Sequence, residues 1–206
     1  MTLDSHHTTG NGPGTWAEVA TTVYDALQRN SADVITVVVG SRDMLQIDIA
    51  RYSFEWSTPL AEFPTGASGL RIAVNPAADF SATPKNLDSL LWTLGNNAFG
   101  GAAAPWLQAG QRVRLSRWPN MPRHLHGMQQ MYMLAALGNA YFSAGELAAA
   151  SKAPEATAQD LINALSLMQL LKYSAEAPPV VIAPSGPQHR QQPQSLFARL
   201  RARLGR

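Results

Sequence analysis

Residues 143–171 constrain this chain more than any other stretch. Ser143-Ala-Gly-Glu-Leu-Ala-Ala-Ala-Ser151 has the composition of a short helix, and residues 154–171 supply a longer one. The pair has the shape of a helix-turn-helix, a common DNA-gripping device. A helix that reads DNA faces a wall of phosphates and brings cations to meet them. The second helix here carries Glu155 and Asp160 and no Lys or Arg. Shape and chemistry disagree, and the electrostatic argument is the stronger.

The charge distribution extends that argument. The chain has 206 residues, with 16 Lys and Arg against 14 Asp and Glu, for a net charge of +2. Glu176 is the last acid, so residues 1–176 sum to −3 while residues 177–206, holding five arginines, sum to +5. The basic balance belongs to a tail and not to a basic globular body. Cysteine is absent, which excludes a disulfide framework, thiol catalysis and thiolate metal ligation. No run of ~18 apolar residues is present to span a membrane, and the polar first fourteen residues hold no hydrophobic export core. The reading is a bacterial cytoplasmic protein.

Local patterns divide the chain. Thr15-Trp-Ala-Glu18 is a capping box, and Trp16, Val19, Ala20, Val23, Ala26 and Leu27 follow helical spacing, predicting a one-sided helix over 16–29. Val34-Ile-Thr-Val-Val-Val39 is a β-branched run, and Leu45, Ile47 and Ile49 alternate with polar neighbours, so the two read as a hairpin. Tyr52, Phe54 and Trp56 continue the alternation, and Leu70, Ile72 and Val74 give a further strand. Residues 86–99 read as a helix with Leu87, Leu90, Leu91 and Leu94 inward, stopped by Gly100-Gly101. Residues 111–118 alternate as a strand with arginines on one face. A helix follows over Leu125, Met128, Met131, Tyr132, Leu134 and Ala135, then the helix pair already described, its second member buried along Leu161, Ile162, Leu165 and Met168. Residues 170–173 and 180–182 are expected to pair as a hairpin wing. Residues 174–194 have linker composition.

Two stretches carry candidate chemistry. Arg112, Arg114, Arg117 and Arg123 fall within sixteen residues that contain no acid, and Trp118 adds a flat ring. Arg112 and Arg114 share a strand face. Guanidinium forks beside an aromatic plate suit a phosphate-bearing planar ligand, such as a nucleotide second messenger, or an acidic protein surface. The same residues also read as a plain exposed strand face with Trp118 packed at a junction. The second stretch is the tail, where Leu196, Phe197, Leu200 and Leu204 form an apolar stripe among Arg199, Arg201, Arg203 and Arg206. About twelve residues seldom hold a helix alone in water. Such a segment folds on a partner groove or an anionic membrane surface, or it packs on its own domain or stays solvated.

His124 and His126, two apart, point about 200° from each other on a helix and make no zinc set. Met128, Met131 and Met133 read as core filling. No nucleophile elbow, P-loop, H-E-x-x-H or dinucleotide fingerprint occurs, so neither an enzyme nor a cofactor is expected.

Residues 114–171 resemble the winged-helix modules of bacterial regulators. Leu115-Ser-Arg-Trp-Pro, then Ser143-Ala-Gly-Glu-Leu-Ala and a closing Leu-Leu, is similar to the PATAN-type winged helices of signalling proteins, which occur beside small Ras-like GTPases and response regulators in surface motility. The resemblance covers about a third of the chain, and it implies mediation of protein contacts. Residues 16–110 carry no such resemblance.

The expectation is therefore an α+β chain: a disordered N-terminus at 1–14, a helix on a small antiparallel sheet at 15–110, a winged-helix domain at 111–183, and a flexible basic tail at 184–206. The expected role is a non-enzymatic adaptor acting through a protein partner, cytoplasmic or peripheral to the membrane through its tail. A DNA-binding regulator and a nucleotide receptor are the alternatives.

Overall fold

The computed structural model describes residues 14–41, 43–75, 84–120 and 127–174 of the chain. They form a mixed α+β structure. Helix α1 (Trp16–Gln28) starts at the expected capping box, with the Thr15 amide donating to Glu18 Oε2 at 2.9 Å and the Glu18 amide returning to Thr15 Oγ1. Strands β1 (Val34–Val39) and β2 (Asp43–Asp48) form the expected hairpin, followed by β3 (Ser53–Glu55), β4 (Arg71–Asn75) and β5 (Lys85–Asn86). Every pairing in this sheet is antiparallel and its order is β4-β1-β2-β3-β5.

The expected continuous alternation through Tyr52 is broken. Ile49 to Tyr52 make a turn closed by the Tyr52 amide on the Ile49 carbonyl, and Tyr52 takes φ +50°, a rare value for an aromatic residue. Period-two spacing cannot register a turn that rejoins the sheet in phase. Beyond β3, Asp43 accepts hydrogen bonds from Trp56 Nε1, Ser57 and Thr58, pinning the 56–58 segment to the start of β2. Burial pushes the Asp43 carboxyl up, but these bonds outweigh it and hold the group below its ordinary value. Trp16 packs against Trp56 and Phe63, with ring centroids 6.0 and 4.5 Å away, closing that end of the core.

Helix α2 (Leu87–Asn97) carries the expected inward leucines, but Trp92, Thr93 and Gly95 are buried as well. An amphipathic helix on a sheet would leave those positions wet, so α2 has a second neighbour. That neighbour is α5 (Glu155–Leu167), the second helix of the helix-turn-helix segment. Strand β6 (Arg112–Leu115), α3 (Met128–Asn139), α4 (Ala144–Ser151) and β7 (Leu171–Ser174) complete the order. A methyl placed on Gly95 would lie 2.3 Å from Ala164 Cα, so only glycine lets the two backbones approach this closely. One hydrophobic core consequently runs from Trp16 to Leu170 through both halves.

Two expectations are corrected, and a third falls in part outside the described residues. The long helix stops at Leu167, where Gln169 takes φ +58°, and does not reach Leu171. Residues 171–174 pair with β6, in the register Arg112↔Ser174 to Leu115↔Leu171, while residues 180–182 lie outside the described residues. The expected hairpin with 180–182 thus falls on residues outside the described ones, and β7 has in addition a partner from much earlier in the chain. Met128 is 70% exposed and is not core filling; Met133, Leu134 and Leu137 take the buried stripe of α3. Among the described residues, no helix is long and apolar enough to cross a membrane.

Candidate interaction site

The arginine strand is β6. Val113 and Leu115 face the core, and Val113 also bridges Phe142 through two backbone bonds of 2.9 Å, so β6 has a partner on each side. Alternation then turns Arg112 and Arg114 to the other face, where the two have different fates. Arg112 forms an ion pair and hydrogen bond with Glu146 in α4. Glu146 also accepts the Ser143 amide at 2.9 Å as half of the α4 capping box. Burial pushes the Glu146 carboxyl up, while the hydrogen bonds from Ser143 and Arg112 together hold it below its ordinary value. Arg112 thus ties β6 to the start of α4, and its charge is already met.

Arg114 is exposed, and its guanidinium lies 3.4 Å from the Gly138 carbonyl in the last turn of α3, where a cation complements the helix dipole. Arg117 is exposed, and Trp118 is 54% exposed, so the ring is not packed at a junction. Arg117 brings its charge toward the first half of the chain. The Tyr52 hydroxyl donates to Asp88 Oδ1 at 2.7 Å; burial, then this bond and the Asp88 charge, push the phenol well above its ordinary value, and the Arg117 charge works against them. The fifth residue of the set, Arg123, and the tail residues Leu196, Phe197, Arg199, Leu200, Arg203 and Leu204 lie outside the described residues.

The exposed face of α3 was not anticipated. Met128 and Tyr132 are four residues apart on one side of the helix and are 70% and 65% exposed. Residues 131–137 are all apolar. Hydrophobicity alone therefore could not say which stripe would find a partner.

Two clefts lie nearby. One, of about 210 Å³, is lined by Gln111, Val113, Ser143, Gly145, Glu155 and others. The other, of about 370 Å³, is lined by Thr93, Asn96, Asn97, Gln130, Asp160 and their neighbours. Neither lining contains a Lys or Arg and each contains an acid, which suits a phosphate ligand poorly.

The α5 surface that a DNA reader would present is already in use. Asp160 accepts the Gly101 amide at 2.9 Å. Asn163, fully buried, accepts the Ala104 amide at 3.1 Å and donates to the Ala102 carbonyl at 2.8 Å. The Ser166 hydroxyl accepts Trp106 Nε1 at 2.9 Å. These three residues, three apart, hold the 101–106 loop, and Trp106 stacks on Tyr24 of α1 at 4.1 Å. Burial pushes the Asp160 carboxyl up, against the pull of the Gly101 hydrogen bond. Comparison with family models, with curated proteins and with solved structures finds no match.

Proposed function

We propose that this chain is a non-enzymatic bacterial adaptor that works through protein contacts, in signalling or the control of surface motility. Its second module is a winged helix in which β6, from before the first of the three helices, stands between Phe142 and β7. The observation that carries this reading is the fate of α5. In a DNA-binding member the corresponding helix must enter the major groove. Here it is buried at eight positions, Ala158 and 161–167, crossed by α2 and clamped onto the 101–106 loop. Its lack of cations is the chemistry of an internal helix.

The contact surface is built on Arg114, Arg117 and Trp118, with the basic tail as a second attachment to a partner or to an anionic membrane surface. Exposed aromatic and Arg side chains are the residue types that dominate interface energetics. The two clefts, whose linings hold no Lys or Arg, offer a nucleotide's phosphates no cationic partner, which favours a protein partner.

Affinity capture from a nuclease-treated native lysate tests the reading. The unaltered chain is expected to retain a specific protein at moderate salt. The double variant Arg117→Ala with Trp118→Ala, checked for an unchanged melting temperature, is expected to retain about tenfold less, the loss of roughly 1.4 kcal/mol of contact energy. Recovery of nucleic acid alone from untreated lysate, lost as salt rises, would point to the DNA reading instead.

A further inference from the structure

The larger cleft, of about 370 Å³, takes its lining from α2, α5 and the first turn of α3. Its walls on α2 and α5 offer hydrogen-bond acceptors. Asn96 donates its side-chain amide to the Trp92 carbonyl at 2.8 Å, and Asn97 donates to the Thr93 carbonyl at 2.7 Å. Both amide nitrogens are thereby occupied along α2, and each residue has its side-chain oxygen to offer. Gln130 Nε2 reaches Asn96 Oδ1 only at a long 3.5 Å. A carbonyl oxygen has two lone pairs, so that acceptor keeps capacity.

Asp160 of α5 accepts the Gly101 amide on one carboxylate oxygen, Oδ1, at 2.9 Å. Among the described residues, its Oδ2 accepts no hydrogen bond, and no Lys or Arg forms an ion pair with it. One amide bond does not compensate the charge: burial still raises the Asp160 carboxyl above its ordinary value.

This arrangement selects the chemistry of an occupant. The lining holds a carboxylate and no Lys or Arg, so it suits a cation. The acceptors come from two helices, so it suits a cation with several donors. A guanidinium is planar and carries five N–H donors, whereas an ammonium is a compact, strongly hydrated point charge. Leu60 and Trp92 also contribute to the lining, and apolar surface suits the methylene stem that carries a guanidinium.

We propose that this cleft binds a guanidinium group, which pairs with Asp160 Oδ2 and donates to the side-chain oxygens of Asn96 and Asn97. Two sources present that group: a free small guanidine, or the arginine side chain of a polypeptide. The second would add a specificity element to the adaptor reading, but the site itself stands without that reading.

Titration of the full chain with butylguanidinium, followed by NMR, tests the site. The Gln130 side-chain amide and the Asn97 backbone amide are expected to shift saturably. Butylurea, neutral and of similar shape, should leave both in place. Asp160→Asn keeps an oxygen for the Gly101 amide but removes the charge, so it should weaken binding by about tenfold or more. Asn97→Ala loses a bond made only within its own helix. It should therefore keep the fold and weaken binding about threefold. An acetylated Gly-Arg-Gly amide that binds more tightly than butylguanidinium assigns the site to an arginine side chain, and equal affinity assigns it to a free small guanidine. Absence of saturable shifts overturns the proposal. So does binding of butylurea or butylammonium as tight as that of butylguanidinium, or an affinity unchanged in either variant that keeps its fold.

Discussion

Gly95→Ala is expected to destabilise the protein even though alanine is the better helix former by about 1 kcal/mol. The added methyl would lie 2.3 Å from Ala164 Cα and 2.8 Å from its backbone nitrogen. Those are backbone atoms of α5 and cannot rotate away, so the helices must separate along their whole crossing. Overpacking of a tight core costs about 1–3 kcal/mol, and a clash with backbone belongs to the upper part of that range, about 2–3 kcal/mol, which exceeds the propensity gain. The expected net loss is therefore about 1–2 kcal/mol for alanine, and larger for Gly95→Leu, which inserts three more carbons into the same gap. Urea unfolding at neutral pH reads both. A neutral or stabilising Gly95→Ala would mean that α2 and α5 do not approach this closely.

Asn163→Leu has the second large effect. The side chain is nearly isosteric and more apolar, so a purely hydrophobic account expects a small gain at this fully buried position. The polar account expects the opposite. Asn163 holds the Ala104 amide at 3.1 Å and the Ala102 carbonyl at 2.8 Å, and also accepts from Gln159 at 3.0 Å. Leucine strands the Ala104 amide in the interior, where an unmet donor costs about 1–3 kcal/mol, and it drops two further bonds. The expected loss is about 2–4 kcal/mol. The stacking of Trp106 on Tyr24 should weaken with it, because the same loop carries Trp106, and near-ultraviolet dichroism would report that change. An unchanged Trp106 signal with full stability would contradict the clamp.

What the sequence made legible was local. The Thr15 box fixed the start of α1, the β-branched run and its alternating answer made the β1–β2 hairpin, and the Ser143 box began α4. Each rests on neighbours a few residues apart. The features that escaped depend on distant partners. The pairing of β7 with β6, more than fifty residues earlier, has no local signature. The clamp of Asp160, Asn163 and Ser166 on the 101–106 loop is not legible either, because composition cannot separate a polar group facing solvent from one satisfied inside. Of the candidate site, the arginines of β6 follow from period-two spacing, whereas the exposure of Trp118 does not, since the sequence fits a ring packed at a junction as well. The capture of Arg112 by Glu146 does not, since nothing local links residues so far apart.

That internal use of α5 is the premise on which the adaptor reading stands, and native-state hydrogen exchange addresses it most directly. If α5 is sealed against α2 and the 101–106 loop, the amides of Ala164 and Leu165 should open only with those of Ile35 and Val37 in β1, at the free energy of global unfolding, and all four should fall together in Gly95→Ala. Exchange at Ala164 and Leu165 while Ile35 and Val37 stay protected would show the two halves parting in the native state. It would leave the helix free to present itself to DNA, contrary to this account.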